Sequence, residues 1–346
     1  MVTEESAEID VPSGKISKQL GVFYNPVMKL NRDVSVLLLD SVPDKDMQIA
    51  LPLAGSGVRG IRFFKELKKG KIKSIAFNDY KTSESIKKNL EMNRVKGEVF
   101  GKDVNMFLLE SRGFDYIDID PFGSPNPFLD SAIVRLARNG ILAVTATDTA
   151  ALAGSSPLAC RRKYWAKPLR NEFMHETAIR ILIRKVQLVG AEHEKSLRPI
   201  FSYSKDHYYR VFLRAEKGRK KADELLKEHA YLLWNRKTQE RKVSEHNCLK
   251  GFDYAGPMWV GGLWDKKLVK AMLKNSDKDN KKLFGLVSLI SEESEIDAVG
   301  FYDLHRLSQA KKKPIPKVED VVRKGVSRTH FLGWGVRTRN SINKIM

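Results

Sequence analysis

Between about residues 46 and 148, five short apolar runs are separated by helical patterns, and this rhythm limits the possible folds more than any other feature of the chain. "MQIALPL" (47–53), "IKSIAFNDY" (72–80), "GEVFGKD" (97–103), "FDYIDID" (114–120) and "GILAVTATD" (140–148) read as strands. Between them, "GSGVRGIRFFKELKK", "SESIKKNLEMNRV" and "NPFLDSAIVRLAR" carry the spacing of helices. Strand, helix, strand in this order requires a parallel sheet covered on both faces. The expectation is a doubly wound α/β domain.

After a basic loop, "GSSPLACRRKYWAKPLR", comes a long helix, "NEFMHETAIRILIRKVQLVGA", whose Ile179, Leu182, Ile183, Val186 and Val189 recur at helical spacing and read as core. "RPIFSYSKDHYYRVFLRAE" then reads as two strands around "SKD", a hairpin. A parallel sheet ending in an antiparallel hairpin is unusual for a dehydrogenase and usual for a class I (Rossmann-like) methyltransferase, so the expected sheet has seven mostly parallel strands. The charge-dense "EKGRKKADELLKE" (216–228) divides the chain into a cofactor domain, 1–215, and a smaller α+β domain, 216–346. Near the end, "YDLHRLSQAKKKPIPKVEDVVRKGVSRTHF" reads either as a helix-turn-helix-like nucleic-acid module or as two packed helices with solvated lysines.

Sixty-two Lys and Arg against 42 Asp and Glu give a formal charge of +20, of which +9 lies up to Ala215 and +11 beyond it. Such an excess points to a polyanionic partner. An anionic membrane fits less well, because the charge is not gathered on one amphipathic helix. No apolar run approaches 18 residues and the first ten are acidic and polar, so the reading is a soluble protein with no export signal. Cys160 and Cys248, 88 positions apart, make a disulfide framework improbable and suit the cytoplasm. No obligate protein partner is evident.

"GSGVRG" (55–60) satisfies G-x-G-x-x-G between a strand and a helix, where NAD and S-adenosylmethionine both bind. Asp79, at the end of the second strand, can accept both ribose hydroxyls with either cofactor. Asp103 discriminates better: a carboxylate ending the third strand can take an adenine amine, with the Val104 N–H reaching a ring nitrogen. Either aspartate could instead cap the helix that follows.

"DPFG" ends the fourth strand, where amino-group methyltransferases place an acid or amide, a proline and an aromatic. An exocyclic base amine is a poor nucleophile because its lone pair is delocalised into the ring. Acceptors on the Asp120 carboxylate and the Pro121 carbonyl can turn that lone pair toward a sulfonium methyl. Proline's fixed φ helps to aim its carbonyl, and Phe122 would stack on the base. Asp118 is read as the lesser partner, turned to the other side of the strand. Cys160 reads as a packed thiol, since methylating an amine needs no covalent intermediate.

With these residues in place, the chain resembles the tRNA guanine-26 N2-dimethyltransferase family of the archaeal and eukaryotic type. The resemblance rests on "VFYNPVMKLNRDVSV", "GSGVRGIRF", "DIDPFGSP", "VTATDTAALAG", "RKYWAKPLRNEFMHE", "KDHYYRVF", "YAGPMWVGGLWD" and "SRTHF", from about residue 11 to 340. It implies methyl transfer from S-adenosylmethionine to N2 of guanine 26 in tRNA, once and then again. It also implies that Arg32 and Arg59 hold the methionine part, Asp79 the ribose, and Asp103 and Val104 the adenine. Asp120 and Pro121 would hold the guanine amine, Phe122 and Phe23 would be aromatic walls, and the C-terminal domain would grip the tRNA. Two departures stand out. Only His246 and Cys248 are at hand where some relatives carry a cysteine cluster, so no zinc is expected. Val27 replaces the arginine of the family's "NPRM". The alternatives are an amino-methyltransferase acting on adenine N6, an NAD-dependent dehydrogenase, or a nucleic-acid-binding protein with an inactive methyltransferase fold.

Overall fold

The computed structural model describes residues 1–11, 24–323 and 325–340. The five apolar runs form strands β1 (Met47–Leu51), β2 (Ile72–Asn78), β3 (Glu98–Phe100), β4 (Phe114–Ile119) and β5 (Leu136–Ala146). The hairpin supplies β6 (Lys195–Lys205) and β7 (Tyr208–Lys217). Together they make one seven-stranded sheet in the order β3-β2-β1-β4-β5-β7-β6. The first five strands are parallel, and β7 runs antiparallel to both β5 and β6. The chain moves outward from β1 to β3 and then returns to place β4 on the other side of β1, which opens a crevice at the carboxyl ends of these two strands.

Helices α1 (Lys29–Ser41), α2 (Val58–Glu66), α3 (Ser83–Asn93), α4 (Val104–Glu110), α5 (Asn126–Arg135) and α6 (Met174–Glu192) flank the sheet. β5 starts earlier than its apolar run suggests, because Leu136 already pairs with Phe114 and ends α5 at Arg135. Gly60 lets α2 lie directly on the sheet. A Cβ there would stand 2.2 Å from Phe77 Cε1 and 2.7 Å from Leu51 Cδ1.

α6 is buried on all sides, polar Arg180 and Gln187 included, because it separates two layers. The large sheet lies on one side of it. On the other is a three-stranded antiparallel sheet with His229–Trp234 between Arg241–Ser244 and Asp253–Trp259. On the opposite face of the large sheet, helices Lys266–Asn275 and Lys281–Ser294 pack on α1. Both large apolar cores therefore cross residue 215: one joins Ile179 and Leu182 to Leu232 and Met258, the other joins Val34 and Leu38 to Val269 and Val287. The charge-dense 216–228 stretch folds as helix Arg219–Leu226, which buries Ala222 and Leu225.

A buried charge cluster joins the two parts of the chain. Arg337 bonds Glu176 at 2.6 Å and Glu293 at 2.9 Å, Arg180 bonds Glu176 at 2.8 Å, and His330 lies 2.6 Å from Glu293. Burial alone would raise the Glu176 carboxyl, but the Arg337 and Arg180 guanidiniums overcome it and bring the pKa down to about 2. Trp264 stands 5.5 Å from the Arg337 guanidinium and donates from Nε1 to Ser202 O at 2.8 Å. The stretches "YAGPMWVGGLWD" and "SRTHF" thus serve the joint between the parts. Near the end, helix Leu304–Lys311 is followed by the single turn Val318–Val321, and "SRTHF" then enters strand Val326–Thr329. One helix, one turn and a strand take the place of the two helices that either reading expected, and Leu304, Leu307, Val321, Val326 and Val336 form a small core among them.

Candidate active site

A cavity of about 550 Å³ opens at the carboxyl ends of β1 and β4, where the strand order reverses. The glycine turn after β1 forms its floor. Gly55 and Gly57 take φ of +57° and +81°, values that suit glycine. The Ser56 hydroxyl between them is buried in the cavity lining with no hydrogen-bond partner among the described residues. Asp79 lines the cavity from the end of β2 and accepts from Gly55 N at 3.0 Å, Lys81 N at 3.0 Å and Thr82 N at 3.2 Å, so it also locks the turn. Asp103 caps α4 through Oδ1 alone, which takes Asn105 N at 2.9 Å and Met106 N at 3.2 Å. Asp103 and the buried Val104 lie off the cavity lining. Phe23 lies outside the described residues.

Arg32 reaches the cavity from α1. It is held there by Glu4 of an N-terminal hairpin, in which Val2–Glu4 pairs antiparallel with Ala7–Ile9, through Nε at 2.7 Å and a close Nη2 pair, and by Asn25 O at 3.0 Å. Arg59, on the first turn of α2, is engaged at both terminal nitrogens. Nη1 donates to Asn31 Oδ1 and Ser35 Oγ, each at 2.9 Å, and Nη2 forms a close ion pair with Asp120. Val27, 57% exposed, sits on the lining.

Asp120, Pro121 and Phe122 line the same cavity, with Pro121 buried and Phe122 49% exposed. The turn is pinned to the end of β5: Gly123 N donates to Thr147 Oγ1 at 2.6 Å, and Thr147 N returns to Gly123 O at 2.9 Å. Asp118 corrects one expectation. It stands two residues before Asp120, and alternation along a strand puts residues i and i+2 on one face, so both carboxylates turn to this cavity. Beneath them lies a residue that sequence reasoning missed. Arg210 of β7, fully buried, grips Asp118 bidentately at 2.8 and 2.7 Å and also bonds Thr145 Oγ1 at 2.9 Å. Burial alone would raise the Asp118 carboxyl, but Arg210 and Arg59 more than offset it, and the group stays ionised. The signal was present in "KDHYYRVF", whose Asp206, His207 and Tyr208 also line the cavity.

Cys160 is buried, and burial together with nearby Asp148 pushes its thiol up to about 12, which leaves it inert. Among the described residues no group of three or more His, Cys, Asp or Glu side chains converges to hold a metal, and no helix is long and apolar enough to cross a membrane.

The strand order and the reversed seventh strand make the fold that of a Rossmann-like, S-adenosylmethionine-dependent methyltransferase. The lining suits that cofactor: a glycine turn, an acid at the end of β2, two guanidiniums and a buried hydroxyl with no partner among the described residues. Trm1 from Pyrococcus horikoshii, solved with S-adenosyl-L-methionine, superposes with a TM-score of 0.89 at 34% identity, covering 99% of this chain and 98% of that one. A tRNA (guanine(26)-N(2)/guanine(27)-N(2))-dimethyltransferase of Aquifex aeolicus is 38% identical, over 100% of this chain and 94% of its own length. A tRNA (guanine(26)-N(2))-dimethyltransferase of Methanocaldococcus jannaschii is 37% identical, over 96% and 93%. The model of the N2,N2-dimethylguanosine tRNA methyltransferase family matches residues 3–346, and the chain belongs to that family.

Proposed function

We propose that the protein transfers methyl groups from S-adenosylmethionine to the exocyclic N2 of guanine 26 in tRNA, giving N2-methylguanosine and then N2,N2-dimethylguanosine. One observation carries this reading: the acid–proline–aromatic turn and the glycine turn with Asp79 open into a single cavity. In this reading Asp79 takes the ribose hydroxyls and Arg32 and Arg59 supply a positive wall for the amino-acid carboxylate. The Oδ2 of Asp103, which its helix cap does not use, and the Val104 N–H take the adenine.

S-adenosylmethionine supplies an electrophilic methyl on a positively charged sulfur. The chain's own part is to present the amine. Asp120 and the Pro121 carbonyl accept the two N–H bonds of the guanine N2 and aim its lone pair, while Phe122 covers the base. The Arg59 pair fixes the Asp120 carboxylate, so little reorganisation accompanies the transfer. The N–C bond forms as the C–S bond breaks, and the proton lost from N2 leaves by way of Asp120 or water. After one transfer a single N–H remains. Asp120 can accept it, while the Pro121 carbonyl gives up its partner to admit the methyl.

Guanine 26 must leave its place in the folded tRNA to reach Asp120, by flipping or by a loosening of the RNA. The C-terminal part, with a formal charge of +11, is proposed to hold the RNA backbone. The two free cysteines suit work in the cytoplasm.

The test is methyl transfer from labelled S-adenosylmethionine to unmodified tRNA transcripts, one with guanine 26 and one with adenine there, followed by nucleoside analysis. Mono- and dimethylguanosine should appear only with guanine 26. Label on both transcripts, or on adenine, would sink the assignment of the base.

A further inference from the structure

The 23 residues between Asp148 and Glu172 contain five Lys or Arg and no acid. Their centre is the helix Pro157–Tyr164, which buries Cys160 and Tyr164 and leaves Arg161 and Arg162 exposed. Neither arginine, nor the exposed Arg170, forms an ion pair with any described residue. Other surface cations nearby do pair: Lys163 lies 3.2 Å from Asp148 and Lys167 2.5 Å from Asp253. Unpaired guanidiniums in a stretch free of carboxylates are suited to phosphate.

The place of this segment matters as much as its charge. At Lys163 and Tyr164 it is fastened to the turn that carries Asp120. The Tyr164 hydroxyl lies 3.0 Å from Ser124 Oγ and donates to Asp148 at 2.7 Å, and Asn126 Nδ2 donates to Lys163 O at 2.7 Å. Three residues after Tyr164 it is fastened to the C-terminal sheet, where Lys167 and Gly256 exchange backbone hydrogen bonds, both 2.8 Å. Trp165, 54% exposed, stands at the middle with the Lys185 ammonium 3.3 Å from its ring. The segment is therefore a basic strip that runs from the rim of the cavity to the C-terminal part.

We propose that Arg161, Arg162 and Arg170 hold the RNA phosphates flanking the extruded guanine, so that the catalytic half of the chain carries its own portion of the RNA grip. A base can be turned out of its stack only if the backbone on either side is held. This inference rests on the tRNA reading of the cavity.

The test measures binding of an unmodified tRNA transcript, without turnover, across a series of salt concentrations. For R161A/R162A the affinity should fall about tenfold or more, and the slope of log K against log salt should shrink by about 1 for each phosphate no longer neutralised. R170A should add to this, R161K/R162K should restore much of the slope, and S-adenosylmethionine affinity should not change. K69A/K73A, at the opposite end of the sheet before and within β2, should leave tRNA affinity unchanged. An affinity and slope for R161A/R162A equal to those of the wild type would overturn the proposal. A wild type that binds the transcript yet leaves guanine 26 unmethylated would remove the enzymatic assignment alone.

Discussion

In the proposed reaction Asp120 presents the guanine amine, and three side chains in series determine where its carboxylate points. Arg210 grips Asp118, Arg59 lies 3.4 Å from Asp118, and Arg59 pairs with Asp120. Asp120→Ala should cut methyl transfer at least about a hundredfold while leaving cofactor affinity nearly intact, checked by single-turnover kinetics beside a cofactor titration. Retained turnover would remove Asp120 from the mechanism. Arg210→Met should leave the Asp118 charge buried without its main partner and cost about 3–5 kcal/mol of stability, read from urea unfolding. The place of the "DPFG" turn at the cavity is legible in the sequence because its pattern is local to four residues. Arg210 is not, because its partner Asp118 is 92 positions away and nothing about an arginine on a strand announces a carboxylate from elsewhere. The placement of Asp118 failed for a simpler reason: its distance from Asp120 is two residues, not one, and the sheet's alternation is unforgiving of that difference.

At the scale of elements, the glycine turn and the helix after it depend on close approach. Gly60→Ala must push Phe77 or α2 aside, and we expect a loss of about 1–3 kcal/mol, seen as a lower melting temperature. An unchanged melting temperature would mean that α2 can shift on the sheet without cost. The strands of the large sheet were readable because parallel strands covered on both faces are nearly continuous apolar runs. The small sheet beside α6 was not, since a strand such as Arg241–Ser244, half exposed and bearing two basic residues, has no apolar alternation to detect. The supposed helix-turn-helix shows the same limit. A basic, proline-bearing turn between helical patterns looks alike whether it reads nucleic acid or merely packs.

Taken whole, the molecule has cores that ignore residue 215. A chain cut there would expose α6, whose outer face is covered by the C-terminal sheet, and we expect the 1–215 fragment to fail to fold. A soluble fragment with a cooperative unfolding transition would overturn that expectation. The joint also sets a pH dependence. Glu176 has its carboxyl at about 2 in the folded protein against an ordinary 4.5, so its contribution to stability is fully present above pH 4.5 and is lost as pH falls toward 2. Glu176→Gln should flatten the acid limb of a melting-temperature profile over that window, besides lowering stability at neutral pH. A limb as steep as that of the wild type would assign acid sensitivity elsewhere.

The same buried joint makes the enzyme a gauge of fixed length. Sliding one part against the other would pull the buried Arg337 away from Glu176 with no water to replace either, so if the C-terminal part holds the RNA as proposed, its distance to Asp120 cannot stretch to suit a substrate. A tRNA whose guanine 26 is displaced by a single inserted nucleotide offers the right base at the wrong distance, and it should go unmethylated.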